Sequence, residues 1–381
     1  MSIRKRTARF FLPNVVAALV LTAWSLQSRA EPAYLVFVSN ERSGDLTVID
    51  GGDFHVVGTI AVGKRPRGVH VSPDSRTLYV ALSGTPIQAP PQLDAHGNPI
   101  FKATKEGDGE ETSESDKSAD GIGVVDVAQM KLTGRIFAGS DPEEFALSKD
   151  GTQIYISNED VKTASVINIA TAKVEHIIPV GQEPEGVSTT PDGASFYVTC
   201  EAGGDVYVIE TTHYTITAHF KVNVRPRTVA FQPGTNIGFI PSESTGELNV
   251  IDTKNPRVLK VINLPSGSRP MSVKVSPDGR RIYVSNGRAG TISVLDGASY
   301  ELLATIKVGT RPWGIALSPD GKLLYVANGP SNDISVVDLQ ANREIARVKA
   351  GASPWSVAVV LRASPETNPR TFQQYLVLRR S

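Results

Sequence analysis

Short apolar runs alternate with polar turn residues along almost the whole chain. Residues 311–329 read RPWGIALSPDGKLLYVANG, in which two apolar runs flank a Ser-Pro-Asp-Gly turn. Proline presets φ at the first central position of such a turn, and glycine accepts the positive φ that ends it. Apolar runs this short, closed by turn residues, indicate strands that are covered on both faces. The pattern therefore predicts a β-hairpin at this point.

The same arrangement recurs at a nearly constant spacing. The prolines that open the units are 76, 42, 42, 44, 42 and 42 residues apart: Pro66, Pro142, Pro184, Pro226, Pro270, Pro312 and Pro354. The sequence pattern predicts four strands in each unit. In the last unit these strands cover 314–318, 322–328, 334–338 and 344–350. Four antiparallel strands in about 42 residues are typical of a β-propeller blade.

The two ends of the repeat region are complementary, and they set the number of blades. Residues 34–61 supply three strands without an opening strand, whereas residues 355–360 supply an opening strand with no blade after it. Pairing them in one sheet closes the ring and removes exposed sheet edges. The sequence therefore predicts an all-β, seven-bladed propeller of four-stranded antiparallel blades over residues 31–362. The blades are 34–66 plus 355–362, 67–142, 143–184, 185–226, 227–270, 271–312 and 313–354.

Two segments lie outside the repeat. Blade 2 carries an insert over about residues 84–119, which is rich in proline in its first half and acidic in its second half. Because it joins the second and third strands, we expect it to emerge at the same end of the channel as the loops into the opening strands. The tail, residues 363–381, is unlike a blade.

The N-terminal residues have the pattern of a secretory signal peptide. Four basic residues within the first nine precede an apolar stretch over 10–24, and Ser28-Arg29-Ala30 offers a cleavage site. We therefore expect residues 1–30 to be removed near Ala30, with no membrane span afterwards. The only cysteine is Cys200, so no intrachain disulfide can form. An exported chain that has no intrachain disulfide bond is consistent with a protein of the bacterial periplasm.

Composition and motifs narrow the possible functions. The chain has 39 basic and 39 acidic residues, which argues against a nucleic-acid partner. There is no G-x-S-x-G nucleophile motif and no C-x-x-C-H haem motif, and the six histidines lack a metal-ligand spacing. The sequence therefore assigns no catalytic residue, no metal ligand and no cofactor, and it favours a monomeric protein that is not an enzyme.

The candidate site is a ring of side chains that only the aligned repeats reveal. The loop into each opening strand places residues on both sides of its proline, and the opening strands line the channel. One end of the channel should therefore carry carboxylates on one arc and arginines with two tryptophans on the other. The predicted ligand or partner site comprises Arg65, Arg67, Asp141, Glu143, Glu183, Glu185, Arg225, Arg227, Arg269, Arg311, Trp313 and Trp355.

Three interpretations of this ring remain open. The carboxylates and arginines could form ion pairs between blades and have no further role. Alternatively, Arg269 and Arg311 could bind carboxylates while Trp313 and Trp355 stack on a planar ligand, such as the quinone cofactor PQQ or an acidic loop of a partner. The carboxylates could also bind a hard cation such as Ca²⁺.

Segments such as SPDGKLLYVAN and NDISVVDL resemble the YVTN-repeat β-propeller family over about residues 34–360. The junctions KRPRGV, DPEEFAL, EPEGV, VRPRTVAF and RPWGIAL further resemble exported propellers associated with PQQ-dependent alcohol catabolism. This resemblance implies a periplasmic protein whose partner is a quinoprotein alcohol dehydrogenase or its electron-transfer or transport components.

The sequence leaves three functions open. The favoured one is a non-enzymatic binding or assembly protein of periplasmic PQQ-dependent oxidation. The second is a propeller lactonase or hydrolase that uses carboxylates of the ring and a metal. The third is a cell-envelope interaction protein.

Overall fold

The computed structural model describes residues 34–87, 92–93, 99–100 and 115–362, and more than half of them lie in the strands of seven four-stranded antiparallel sheets. The predicted signal peptide, most of the insert and the tail lie outside these residues. The first three blades contain β1 (Tyr34–Asn40), β2 (Asp45–Asp50), β3 (Val56–Ala61) and β30 (Pro354–Leu361); β4 (Val69–Val71), β5 (Thr77–Leu82), β8 (Gly121–Asp126) and β9 (Lys131–Ile136); and β10 (Pro142–Leu147), β11 (Gln153–Asn158), β12 (Thr163–Asn168) and β13 (Lys173–Pro179).

The other four blades follow the same order. They contain β14 (Pro184–Thr189), β15 (Ser195–Cys200), β16 (Asp205–Glu210) and β17 (Ile216–Lys221); β18 (Ala230–Phe231), β19 (Ile237–Ser242), β20 (Glu247–Asp252) and β21 (Arg257–Asn263); β22 (Pro270–Val275), β23 (Arg281–Asn286), β24 (Thr291–Asp296) and β25 (Leu302–Lys307); and β26 (Pro312–Leu317), β27 (Leu323–Asn328), β28 (Asp333–Asp338) and β29 (Arg343–Lys349). Within the insert, β6 (Gln92–Leu93) pairs with β7 (Pro99–Ile100). Two 3₁₀ turns cover Lys117–Ala119 and Glu159–Val161.

The Ser-Pro-Asp-Gly turns have the chemistry that the sequence predicts. In the last blade, Ser318 Oγ donates to Asp320 Oδ1 at 2.6 Å, and the same carboxylate accepts the backbone N–H of Lys322 at 3.1 Å. Gly321 adopts a φ of 69°, a conformation that costs glycine little. These bonds fix the hairpin between the first and second strands of the blade.

The apolar core is divided among the interfaces between neighbouring blades. Seven clusters of buried apolar side chains lie among the described residues, each built from two adjacent blades. The second strands are the most completely buried, as in β27, whereas the outer strands such as β25 are largely exposed. Because a single blade would leave two apolar faces in water, stacking the blades around an axis is what stabilises them.

The ring closes as the sequence predicts. Strand β1 lies between β2 and β30, and its register with β30 pairs Tyr34 with Leu361 and Phe37 with Ala358. The N-terminal and C-terminal strands therefore share one sheet, and the all-β seven-bladed fold is confirmed. Among the described residues, no helix combines the length and apolar character needed to cross a bilayer.

Candidate functional site

The loops that enter the opening strands converge at one end of the central channel, which we call the mouth. In every blade the residue before the opening proline has a left-handed φ between 43° and 61°. For a residue other than glycine this conformation costs on the order of 1 kcal/mol. These residues are Arg65, Asp141, Glu183, Arg225, Arg269, Arg311 and Ser353.

Arg227 is the centre of a buried ion cluster on one arc of the mouth. Its side chain is 7% exposed, and its guanidinium group contacts the carboxylates of Glu185, Glu201 and Glu243. Arg225 joins this cluster, with Nη2 2.5 Å from Glu201 Oε2 and Nε 3.1 Å from Glu243 Oε2. Burial alone would raise the pKa of Glu243, but the charges and hydrogen bonds of the two arginines lower it to about 2. The cluster therefore links blades 4 and 5, and Glu243 remains ionised within it.

Arg67 is the centre of a second cluster between blades 2 and 3. Its side chain is 2% exposed, its Nη2 lies 2.6 Å from Asp141 Oδ1, and its Nη1 contacts Glu143. Arg65 pairs with Glu41 at 3.1 Å. For these residues and for the Arg227 cluster, the structure agrees with the interpretation of the ring as ion pairs between blades.

Three carboxylates at the mouth are close enough to bind one cation. Oxygens of Asp141, Glu143 and Glu159 lie within 4.8 Å of one another. Carboxylates are suitable ligands for Ca²⁺. However, Arg67 already contacts two of the three and neutralises part of their charge, so a cation would have to compete with a buried guanidinium group.

Glu159 differs from the other mouth carboxylates. No ion pair to its side chain is found among the described residues. Burial raises its pKa, and the carboxylates of Asp141, Glu185 and Glu183 raise it further, whereas Arg67 opposes them, so that the pKa is about 7. Glu159 can therefore exchange a proton near neutral pH.

The opposite arc of the mouth carries aromatic rings and an arginine. The rings of Trp313 and Trp355 have centroids 5.4 Å apart and are tilted by 45°. Arg311 lies over Trp313, with Cζ 4.9 Å from the ring centroid, and no carboxylate pairs with it among the described residues. Arg227 Cζ lies 6.0 Å from the same centroid. This arc offers a cation and an aromatic surface to a ligand.

Below the mouth, the channel contains a cavity of about 230 Å³ to which all seven blades contribute. At about 30 Å³ for each water in the liquid, this equals the volume of roughly eight waters, which suits a small monocyclic molecule. Its lining includes Arg227, Trp313 and Trp355 from the mouth, and His70, Glu144 and Lys274 from deeper positions. A ligand that passes the mouth therefore reaches both sets of groups.

The structure brings the predicted ring together but gives its members different roles. Most of the charged members belong to the two ion clusters, and Arg311 lies on the aromatic arc with the two tryptophans. The sequence analysis missed the glutamates that follow the second strand, namely Glu41, Glu159, Glu201 and Glu243. They occupy one position of the repeat in four blades, so aligning that position would have found them. It also missed His70, Glu144 and Lys274 in the channel.

Comparisons with known proteins link the fold to lactonases. A family model described as "Lactonase, 7-bladed beta-propeller" matches residues 182–360, and one described as "Choice-of-anchor I domain" matches residues 38–184. No curated protein sequence matches the chain.

Solved structures share the fold at low sequence identity. A candidate 6-phosphogluconolactonase from Bacteroides fragilis is 15% identical, with a TM-score of 0.69 over 87% of this chain and 99% of that one. The periplasmic gluconolactonase PpgL from Pseudomonas aeruginosa is 19% identical, with a TM-score of 0.65 over 87% and 100%. Hydrazine synthase from Kuenenia stuttgartiensis is 20% identical, with a TM-score of 0.62 over 78% and 96%. At these identities the likeness shows the fold alone.

These findings contradict the prediction that the chain is not an enzyme and serves only as a binding or assembly protein. The family model that matches nearly half of the chain, residues 182–360, describes lactonases. The prediction failed because it depended on local motifs. In a propeller, the groups that face one cavity come from different blades and leave no short motif in the sequence.

Proposed function

We propose that this chain is a hydrolase that opens small lactones in the channel cavity. The observation that carries the proposal is the 230 Å³ cavity, which is reached through the charged mouth and lined by ionisable and aromatic side chains. The match to the lactonase family model supports the same chemistry. Hydrolysis of a lactone requires an activated water, a group that stabilises the oxyanion and a surface that holds the lactone ring.

The mouth supplies the binding part of this function. Arg311 and the Trp313 ring stand at the entrance, where a guanidinium group attracts anionic substituents and an indole packs against a ring. Arginines lower the pKa of the mouth carboxylates Asp141 and Glu243 against the effect of burial, whereas Glu159 has a pKa of about 7. Glu159 does not line the channel cavity, so we assign the base for a lactone held there to the cavity lining and not to the mouth.

Hydrolysis of a lactone panel tests the proposal. Wild-type protein is mixed with δ- and γ-lactones of neutral, carboxylated and phosphorylated sugar acids, and acid release is followed by pH-stat titration. We expect at least one lactone to open well above its spontaneous rate. Arg311→Leu should raise KM for the anionic lactones, whereas Arg280→Leu, which removes an exposed guanidinium on the outer surface, should not. Spontaneous rates across the whole panel would contradict the function.

We also propose that the protein acts in the periplasm, on lactones that an oxidation reaction supplies. Oxidation of a cyclic hemiacetal yields a lactone, so a PQQ-dependent dehydrogenase is a chemically suitable source of the substrate. The resemblance to PQQ-associated propellers and the signal-like N-terminus support this location. Osmotic-shock fractionation should release the chain with the periplasmic proteins, and its retention in the cytoplasmic fraction would contradict the location.

A further inference from the structure

The channel interior carries ionisable side chains at positions that are small elsewhere in the ring. Four residues after the opening proline, five blades have Ala146, Ser188, Ala230, Ala316 and Ala358, whereas the other two have His70 and Lys274. The hub is narrow near this position: a Cβ on Gly314 would lie 2.8 Å from the Trp355 carbonyl oxygen. Long side chains here have little space between blades, and both His70 and Lys274 line the cavity.

His70 is held by a carboxylate from the next blade. Its Nε2 lies 2.7 Å from Glu144 Oε1, and its ring packs edge-on against Phe145 with centroids 4.7 Å apart. Glu144 is buried, and its Oε1 also accepts the backbone N–H of Phe145 at 3.0 Å. A Cβ on Gly68 would lie 2.4 Å from that same oxygen, so a glycine makes room for the carboxylate.

This contact determines which ring nitrogen of His70 carries the proton. A carboxylate only accepts hydrogen bonds, so Nε2 carries the hydrogen and donates it to Glu144. In the neutral ring, Nδ1 then has the free lone pair. The side chain is 35% exposed, and His70 lines the channel cavity. The arrangement is that of a base whose orientation is fixed by a second group.

Lys274 comes from blade 6 and occupies the same repeat position as His70. Its side chain is accessible within the channel. Desolvation by the surrounding blades lowers the pKa of Lys274, and the charge of Glu144 opposes this shift. Its amine is therefore a hydrogen-bond donor in the same cavity as the His70 imidazole, and Glu144 interacts with both.

We propose that His70 is the general base of lactone hydrolysis, that Glu144 positions its ring, and that Lys274 donates a hydrogen bond to the carbonyl oxygen under attack. This inference rests on the proposed function and names the residues that would perform it. It places the reaction in the channel cavity, below the mouth carboxylates.

The steps balance without a further reactant. His70 Nδ1 takes a proton from water as the water oxygen bonds to the lactone carbonyl carbon, and the resulting oxyanion accepts a hydrogen bond from Lys274. When the oxyanion collapses, the ring C–O bond breaks and the proton on His70 passes to the departing alkoxide. The product is the open hydroxy acid, which then ionises.

The substitution His70→Gln distinguishes a catalytic role of His70 from a structural one. His70→Gln can still donate from its amide to Glu144 but has no basic nitrogen, so we expect kcat to fall by about 10²- to 10⁴-fold, while KM and Tm stay close to wild type. The matched control is His219→Gln. His219 Nε2 lies 2.7 Å from Asp205 Oδ1 and its ring stacks on Tyr207, but it stands on an outer strand. This variant should keep the wild-type rate.

Three further variants test the individual roles. His70→Ala should regain part of its rate in added imidazole, which can enter the vacated space, whereas Lys274→Met should lose about 10²- to 10³-fold in kcat without such rescue. Glu144→Gln preserves the shape of the contact, so a lower kcat with unchanged Tm would identify a positioning role.

The outcomes distinguish this inference from the proposed function. If wild-type protein opens a lactone and His70→Gln opens it equally fast, the inference is wrong and the proposed function stands. If wild-type protein opens no lactone, both fail. Loss of rate in His70→Gln together with imidazole rescue of His70→Ala supports both.

Discussion

At the scale of single residues, the mouth shows how the same chemical group takes different roles in different surroundings. Glu243 contacts two arginines, and its pKa falls to about 2. Glu159 occupies the same repeat position in another blade without an ion pair among the described residues, and its pKa rises to about 7. The two glutamates occupy the same position of the repeat, but different charged groups surround them in the two blades. These surroundings determine whether each carboxyl group is ionised at neutral pH.

We expect Glu159→Gln to stabilise the protein at alkaline pH. A carboxyl group whose folded-state pKa is raised contributes stability below its ordinary pKa of about 4.5, and that contribution is lost as pH rises through about 7. The variant should therefore exceed wild type by about 1–3 kcal/mol in free energy of unfolding at pH 8, at 1.4 kcal/mol per pKa unit, and match it near pH 4.5.

Urea unfolding at both pH values measures this difference. The control is Glu301→Gln, which removes an exposed carboxylate and should change neither value. An equal loss of stability in Glu159→Gln at both pH values would contradict the assignment of a destabilising buried charge.

At the scale of the element, four of the seven blades are held at their mouth end by an asparagine at the end of the second strand. Asn328 Nδ2 donates to Asp333 Oδ1 and to Ser335 Oγ, both at 2.8 Å. Corresponding bonds are made by Asn40, Asn158 and Asn286. Gly309 of the preceding blade packs against the Asn328 side chain, since a Cβ there would lie 2.5 Å from Asn328 Cγ. The asparagine therefore connects two strands of its own blade and contacts the preceding blade.

Asn328→Ala should lower the free energy of unfolding by about 1–3 kcal/mol, because it leaves buried polar groups of blade 7 with fewer partners. Thermal and urea unfolding measure the loss, with Gln340→Ala at an exposed turn position as the control. A change equal to that of the control would show that these hydrogen bonds do not stabilise the blade.

The sequence predicted elements far better than it predicted the site. The strands, turns and blade boundaries depend on residues that lie within one repeat of about 42 residues. The repeat pattern in the sequence therefore predicts them directly. His70 and Glu144 are 74 residues apart and meet only because blades 2 and 3 pack at the hub. Their residue types are unremarkable in the sequence, and only ring closure shows that both face the cavity.

At the scale of the whole molecule, a nearly symmetric scaffold carries an asymmetric hub. The seven blades share their strands and turns, while each contributes a different side chain to the mouth and channel. Two ion clusters fix the order of blades on one side, and Trp313, Trp355 and Arg311 leave the other side available to a ligand. Function in this account therefore depends on the whole ring, since no single blade holds the site.

The most direct test of this account is a crystal structure of the protein soaked with the hydroxy acid that the active lactone yields. We predict ligand density in the channel cavity, with the carboxylate within hydrogen-bond distance of Lys274 and the ring of His70 beside it. Ligand density confined to the outer surface, or an empty channel at saturating ligand, would contradict the central claim that the channel is the active site.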